Sequence, residues 1–457
     1  MCRNCKIALF YISDSKMEET SDQSSEEIDE SNFGSLGRIV LPNKHADYSA
    51  SNSNVNGVHQ SADLCLSFLH KAIYKNQWER AAGFMTSYVQ TLEDRTTSRQ
   101  RQAPEIIWRL GTEILLNHPK SSVDELNLFH ERMKNIGVKN FLQISLEQAF
   151  YLLCNGQIED ASRVLMVAES WRFGTFSASQ NKFFKLIQAY RALLDYRAWL
   201  DKKASVTEGD SDFASHSSTA QEIFGLYKQA TTSFQEILRF PGVWDPFVQC
   251  YVDLLESSGE KHKVEELLKE YAYNNKNPAN PNAHVYLYEF LKRNEATSEK
   301  LINVLKILHS LVPSHRLMLE FSQLLAESDC EKHHKLAVQV AFDLLDFSSW
   351  KKDVNAWKCL ERRLMNALIR NHKAWVMDEW GSRKAWWPAY HFSKCHAREE
   401  CEHNEPLALR KGMVAGILLG RAHHYFSAFC ILGSKIQTKS IQNMKTFVNT
   451  YSCANPD

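Results

Sequence analysis

No net charge, no long apolar run, no strand-like alternation and no common catalytic motif are found in these 457 residues. The balance of 54 Lys and Arg against 54 Asp and Glu leaves no strong field, which argues against a dedicated nucleic-acid binder working by charge alone. The apolar runs Ile7–Ile12 and Val414–Leu419 are far too short for a signal-peptide core or a membrane span, so a soluble protein is expected. Nothing longer than a few residues alternates with period two, so few or no strands are expected. There is no glycine-rich phosphate loop ending in Gly-Lys and no Gly-x-Gly-x-x-Gly turn. His-Glu-x-x-His and Gly-x-Ser-x-Gly are also missing. No catalytic residue, metal site, cofactor or small-molecule substrate is therefore expected. The eleven cysteines are odd in number and fall mostly within helical patterns. Without a secretory leader they read as reduced thiols of a nuclear or cytosolic protein.

Charge is present but unevenly spread. Glu18 to Glu30 holds seven acidic residues and no basic one. With the Ser/Asn-rich text after it, this makes residues 1–60 an expected disordered tail, because such composition buries too little apolar area to offset chain entropy. Met17 precedes the acidic run and reads as an alternative start. After Pro406, six Lys or Arg residues face one acid, Asp457. Arg410, Lys411, Lys435, Lys439 and Lys445 are candidate contacts for DNA or an acidic partner. The plainer reading is a solvated helix face.

Between these ends the apolar spacing is helical. Leu66, Leu69, Ala72 and Ile73 form one stripe, and Trp78, Ala81, Ala82 and Met85 form the next. The intervening Asn76-Gln77 is too short to do anything but fold the second helix back. Large and small residues facing each other suit close approach, as in a TPR-like hairpin. The device recurs around Asn155-Gly156, around Ser258-Gly259, and between Val285–Leu291 and Leu301–Leu308, where Thr297-Ser298 offers an N-cap. Ser122 to Glu125 spells a capping box, and Pro313-Ser314 reads as a helix start. The fold class expected is all-α, an irregular array of TPR-like helical hairpins forming an α-solenoid. Its parts are the tail (1–60), N-terminal hairpins (61–200), a disordered loop (201–220), central hairpins (221–350) and a Trp-rich, basic C-terminal region (351–457).

That last region carries the densest chemistry. Trp357, Trp375, Trp380, Trp386 and Trp387 lie within it, and Trp350 immediately before it. Tryptophan buries a large area and is enriched at binding hot spots, so the segment reads either as an aromatic core or as a docking surface. The candidate partner-binding residues are Trp375, Trp380, Arg383, Trp386 and Trp387. Gly412, Gly416 and Gly420 lie four apart, which suits two helices packing closely. Cys2 and Cys5 have zinc-ligand spacing without a second pair nearby. His391, Cys395, His396, Cys401 and His403 could supply four ligands but match no standard zinc spacing.

Several strings are long and unusual. Residues 375–392 (WVMDEWGSRKAWWPAYHF) resemble the C-terminal signature of the A-subunit family among the TATA-box-binding-protein-associated factors for RNA polymerase I. Residues 101–108, 132–137, 241–247, 280–288 and 312–321 are similar to the same family, and the resemblance runs from about Leu64 to the C-terminus. The first 60 residues and the stretch Cys395–His403 depart from it.

The resemblance implies a non-catalytic scaffold component of the RNA polymerase I promoter selectivity factor, in the nucleus and nucleolus. It implies as partners the TATA-box-binding protein, the other polymerase I-specific associated factors and the upstream binding factor. Ribosomal promoter DNA would be met mainly through the complex. A general TPR adaptor is the alternative, but neither regular 34-residue spacing nor a basic carboxylate clamp is visible. A metal-dependent enzyme would rest on the Cys/His cluster alone.

Overall fold

The computed structural model describes residues 57–92, 97–136, 138–172, 174, 177–208, 216–432 and 438–454. The tail expected to be disordered lies outside them, except for residues 57–60, which open the first helix. Among the described residues every regular element is helical, and none is long and apolar enough to cross a membrane. The nine cysteines among them are free thiols. The chain divides between Arg239 and Phe240 into two compact units.

The first unit holds α1 (Gly57–Tyr74), α2 (Trp78–Gln90), α3 (Thr97–Asn117), α4 (Val123–Ile136), α5 (Phe141–Cys154), α6 (Ile158–Ser170), α7 (Ala178–Glu208) and α8 (His216–Leu238). Its pairs are α1 with α2, α5 with α6, and α7 with α8. Leu69 and Ala72 of α1 meet Ala81 of α2 and Ile114 of α3 in one buried cluster. The alanines let the backbones approach, and each fully buried Leu adds roughly 1.5–3 kcal/mol. Trp108, Met133 and Ile144 form a second cluster.

The turns explain the folding back. Asn76 has φ 55°, in the left-handed region. Its N–H donates to the Ile73 carbonyl at 2.9 Å, and the next N–H, of Gln77, donates to the Ala72 carbonyl at 2.9 Å. This is a Schellman motif, which satisfies carbonyls at the helix end. Gln77 is at the same time the N-cap of α2. Gly156, at φ 79°, repeats the pattern, bonding to Leu153 while Gln157 bonds to Leu152. The capping box at α4 is made in full: Ser122 N–H donates to Glu125 Oε2 at 3.0 Å, and Glu125 N–H to Ser122 Oγ at 3.2 Å.

The loop expected over 201–220 is shorter than its polar text suggests. Helix α7 continues to Glu208, and α8 starts at His216. Lys, Ala and Glu are good helix formers, Arg197 pairs with Asp201 at 2.8 Å along α7, and Lys202 pairs with Glu222 of α8. Helix α8 packs along α7, so the division between units falls after it and not at this break.

The second unit holds α9 (Asp245–Ser257), α10 (Lys261–Tyr273), α11 (Pro281–Arg293), α12 (Ser298–Leu311), α13 (Met318–Glu327), α14 (Glu331–Leu345), α15 (Val354–Ile369), α16 (Lys373–Arg383), α17 (Trp387–His391), α18 (Lys394–His403), α19 (Glu405–Leu419), α20 (His424–Leu432) and α21 (Thr438–Tyr451). The Schellman pattern returns at Gly259, Glu295 and Asn371, with φ of 76°, 53° and 62°. The apolar spacing predicts the first two and not the turn at Asn371. Thr297 stands at the N-cap of α12, but its side chain makes no capping bond. Helix α13 begins at Met318, later than Pro313 suggests, because two successive turns close first: His315 bonds to Val312 and Met318 to His315.

Two sequence oddities have structural causes. Asp245, 4% exposed, accepts from Tyr271 Oη at 2.7 Å, Asn280 Nδ2 at 2.6 Å and Asn282 Nδ2 at 2.8 Å. The unusual strings 241–247 and 280–288 therefore meet in one polar knot. The glycine row of α19 faces other helices: a Cβ at Gly412 would come within 2.7 Å of Phe429, and one at Gly416 within 2.7 Å of Phe426 and Val448. Helix α19 also packs against α15, bringing the chain's last helices onto the tryptophan-rich part.

Candidate functional site

The tryptophan-rich segment has an inner and an outer side. Pro388 occupies the first turn of α17, where its missing N–H costs nothing. That helix sets Trp387 inward, fully buried. Its ring lies 5.3 Å from Phe342, 6.1 Å from Trp357 and 6.2 Å from Trp380, centroid to centroid. Trp357 reaches Phe392 at 5.7 Å, and Phe392 reaches Tyr425 of α20 at 5.4 Å. Tilted and edge-to-face rings like these add about 0.5–1.5 kcal/mol per pair beyond their buried area.

Arg383 belongs to the same interior. It is 5% exposed, and its fork is filled by carboxylates. Nη2 reaches Asp343 at 2.6 Å and Asp346 at 2.8 Å, and Nη1 reaches Glu379 at 2.8 Å. Trp387 Nε1 donates to Asp346 at 2.7 Å, and His309 Nε2 lies 3.0 Å from Asp343. Every strong donor here has an acceptor, as a buried guanidinium requires.

The outer side is smaller. Trp386 is 38% exposed and packs on Tyr390 at 5.5 Å, with Lys351 Nζ 4.3 Å from the Tyr390 centroid. Trp375 is half-buried and lies flat on His372, 3.8 Å away with the rings 3° from parallel. Of the five candidates, Trp380, Arg383 and Trp387 are thus packed inside this chain, while Trp375 and Trp386 reach the surface.

The candidate basic contacts divide similarly. Lys411 is fully buried, so the expected contact with DNA or an acidic partner does not hold for it. Its ammonium pairs with Glu400, which also accepts from Tyr425 Oη at 2.5 Å. It lies 5.3 Å from the Trp357 centroid and 5.7 Å from that of Tyr425. Burial pushes its pKa below the ordinary lysine value. Arg410 pairs with Glu361 at 2.8 Å. Lys445 is half-buried on α21. Lys435 and the side chain of Lys439 lie outside the described residues.

The Cys/His cluster is pulled apart. His391 is buried, its Nε2 3.1 Å from the Leu345 carbonyl, and burial with Lys411 nearby pushes its pKa down to about 3. His403 Nδ1 lies 3.0 Å from the Glu399 carbonyl. Among the described residues no three His, Cys, Asp or Glu side chains converge as metal ligands do. Cys2 and Cys5 lie outside the described residues. The buried Lys411–Glu400 pair leaves no mark in the sequence, because its members sit on separate helices eleven residues apart.

The residues that build this core lie within the part of the chain that matches a known family. A family model for the TAF RNA Polymerase I A-subunit matches residues 71–430. Two relatives, from Homo sapiens and Mus musculus, are both named as the A-subunit of the TATA box-binding protein-associated factor RNA polymerase I. Each is 47% identical over 397 residues, spanning 87% of this chain and 88% of the relative. Among solved structures, the TPR domain of P58(IPK) aligns with 86% of this chain and 98% of its own at 10% identity, but the TM-score of 0.22 carries no weight for the fold. A family match from the first hairpin through α20, joined by near full-length relatives, makes the chain a member of the TAF RNA Polymerase I A-subunit family.

Proposed function

We propose that this chain is a non-catalytic scaffold component of the RNA polymerase I promoter selectivity factor. Its partners would be the TATA-box-binding protein and the other polymerase I-specific associated factors, with the upstream binding factor met at the ribosomal promoter. The complex would work in the nucleus and nucleolus, supporting pre-initiation assembly and polymerase recruitment. The observation that carries this reading is identity of 47% over nearly the whole length of relatives named for that polymerase and that binding protein. The all-helical hairpin build supports it, since such arrays present extended surfaces to other proteins. Trp386 and Trp375 are the aromatic side chains of the candidate set that a partner could reach. Promoter DNA would be held mainly by other components, because Lys411 and Arg410 are engaged by Glu400 and Glu361.

Co-expression with the TATA-box-binding protein and the associated factors tests this. The chain should co-purify with them, and Trp386→Ala should weaken that assembly far more than its modest loss of ring packing lowers the melting temperature. A chain that folds but joins none of these proteins would overturn the reading.

A further inference from the structure

A cleft of about 260 Å3 is lined by residues from the end of α13, from α14 and α15, and from the start of α16. Its floor is apolar, with Ala337, Val338 and Ala367 buried beneath it. The flat face of Trp375, stacked on His372, forms one wall. Two guanidinium groups line it as well, Arg363 from α15 and Arg370 just beyond the end of that helix. Arg363 Nε is buried and meets no acceptor. Arg370 Nη1 reaches only His334 Nε2, at 3.4 Å. Neither forms an ion pair among the described residues, in contrast to Arg383 and Arg410 of the same unit. The acids on the rim do not substitute: Asp329 is exposed, and Glu331, also exposed, lies 3.9 Å from His372.

A guanidinium presents its donors in a planar fork that fits a carboxylate, and neither fork here is filled by one. The volume is below the roughly 300–1,000 Å3 of small-molecule pockets and suits one or two side chains. We propose that this cleft is a socket for an acidic segment of a partner protein. One carboxylate of that segment is held between Arg363 and Arg370, and an adjacent apolar side chain lies against Trp375. Charge complementarity selects this occupant: Arg363 and Arg370 are left without an ion pair, since neither Asp329 nor Glu331 of the same lining bonds to them. The socket does not depend on the transcription reading and is tested apart from it.

The probe is a labelled peptide, Glu-Glu-Ile-Asp-Glu, which sets one apolar side chain between carboxylates. Titrated with the full chain, it should bind with one-to-one stoichiometry, and more weakly as salt rises. The pair Arg363→Met and Arg370→Gln should lower its affinity about tenfold or more. The melting temperature should change little, since neither guanidinium forms an ion pair and only the 3.4 Å contact of Arg370 with His334 is lost. Trp375→Ala should also weaken binding. Equal binding by the parent and the double variant would overturn the socket, as would equal binding of the neutral peptide Gln-Gln-Ile-Asn-Gln or no binding at all. The same text occurs in this chain at Glu26–Glu30. If the full chain with those four acids changed to amides bound the probe far more tightly than the parent, the occupant would be the chain's own run and not a partner.

Discussion

Two lysines are buried among the described residues, one in each unit, and they are buried differently. Lys134 of the first unit is 5% exposed, yet its partner Glu131, 2.8 Å away, keeps 54% of its side chain in water. The stem is covered while the charge stays close to solvent. Lys411 of the second unit is wholly enclosed, and so nearly is Glu400, at 6%. Aromatic rings surround that pair. The first unit is held by apolar packing, both the close alanine contacts of Ala72 and Ala81 around Leu69 and large buried rings such as Trp108 and Phe234. The second adds ions that cannot be released singly. A charge whose partner can reach water is replaceable; one whose partner is enclosed is not.

The largest effect should therefore come from Lys411→Met. It leaves Glu400 buried with only Tyr425 Oη, and should cost roughly 3–5 kcal/mol in denaturant unfolding. Lys134→Met should cost no more than about 1 kcal/mol. Equal losses for the two would erase the contrast.

Acid should blur it. His130 of the first unit and His391 of the second are both buried, and burial lowers their pKa from 6.5 to about 4 and about 3. Well above pH 6.5 neither carries a proton in either state. As pH falls from there towards the folded values, the unfolded chain takes up protons first, so stability is lost. Each histidine should remove on the order of 3 kcal/mol between pH 6.5 and 4. Unfolding curves across that window should move by similar amounts for both units, and less after His130→Phe or His391→Gln.

The smallest effect concerns caps. Ser122→Ala in the first unit should cost about 1 kcal/mol, because a capping box is lost. Thr297→Ala in the second should be near neutral, because Thr297 makes no capping bond. Paired melting scans would reveal a reversal.

What can be read in the sequence follows from how local each signal is. The turns at Asn76, Gly156, Gly259 and Glu295 are legible because a short polar gap interrupts two apolar stripes. The turn at Asn371 uses the same hydrogen bonds, but the apolar residues of the helix after it run together at Ala374–Met377 and show no second helical stripe. The helix through Glu208 is hidden because Asp201–Val206 are exposed and mostly polar, leaving only propensity to reveal it. Tryptophan count locates the candidate site, but not its orientation. Trp386 and Trp387 are adjacent and chemically identical, and only the start of α17 turns one out and the other in. Lys411 looks like a surface charge because Glu400, its partner, belongs to a different helix.

The hairpin turns carry one more consequence, for length variation. At Asn76-Gln77, Gly156-Gln157, Gly259-Glu260 and Asn371-His372, the residue that completes the cap of one helix also starts the next. No spare residue separates them. One inserted residue would swing the following helix by about 100° about its axis and turn its apolar stripe away from its mate. Tags, grafted loops and natural insertions therefore have no place inside a hairpin, and the joints between hairpins are where this architecture can change length without losing its phase.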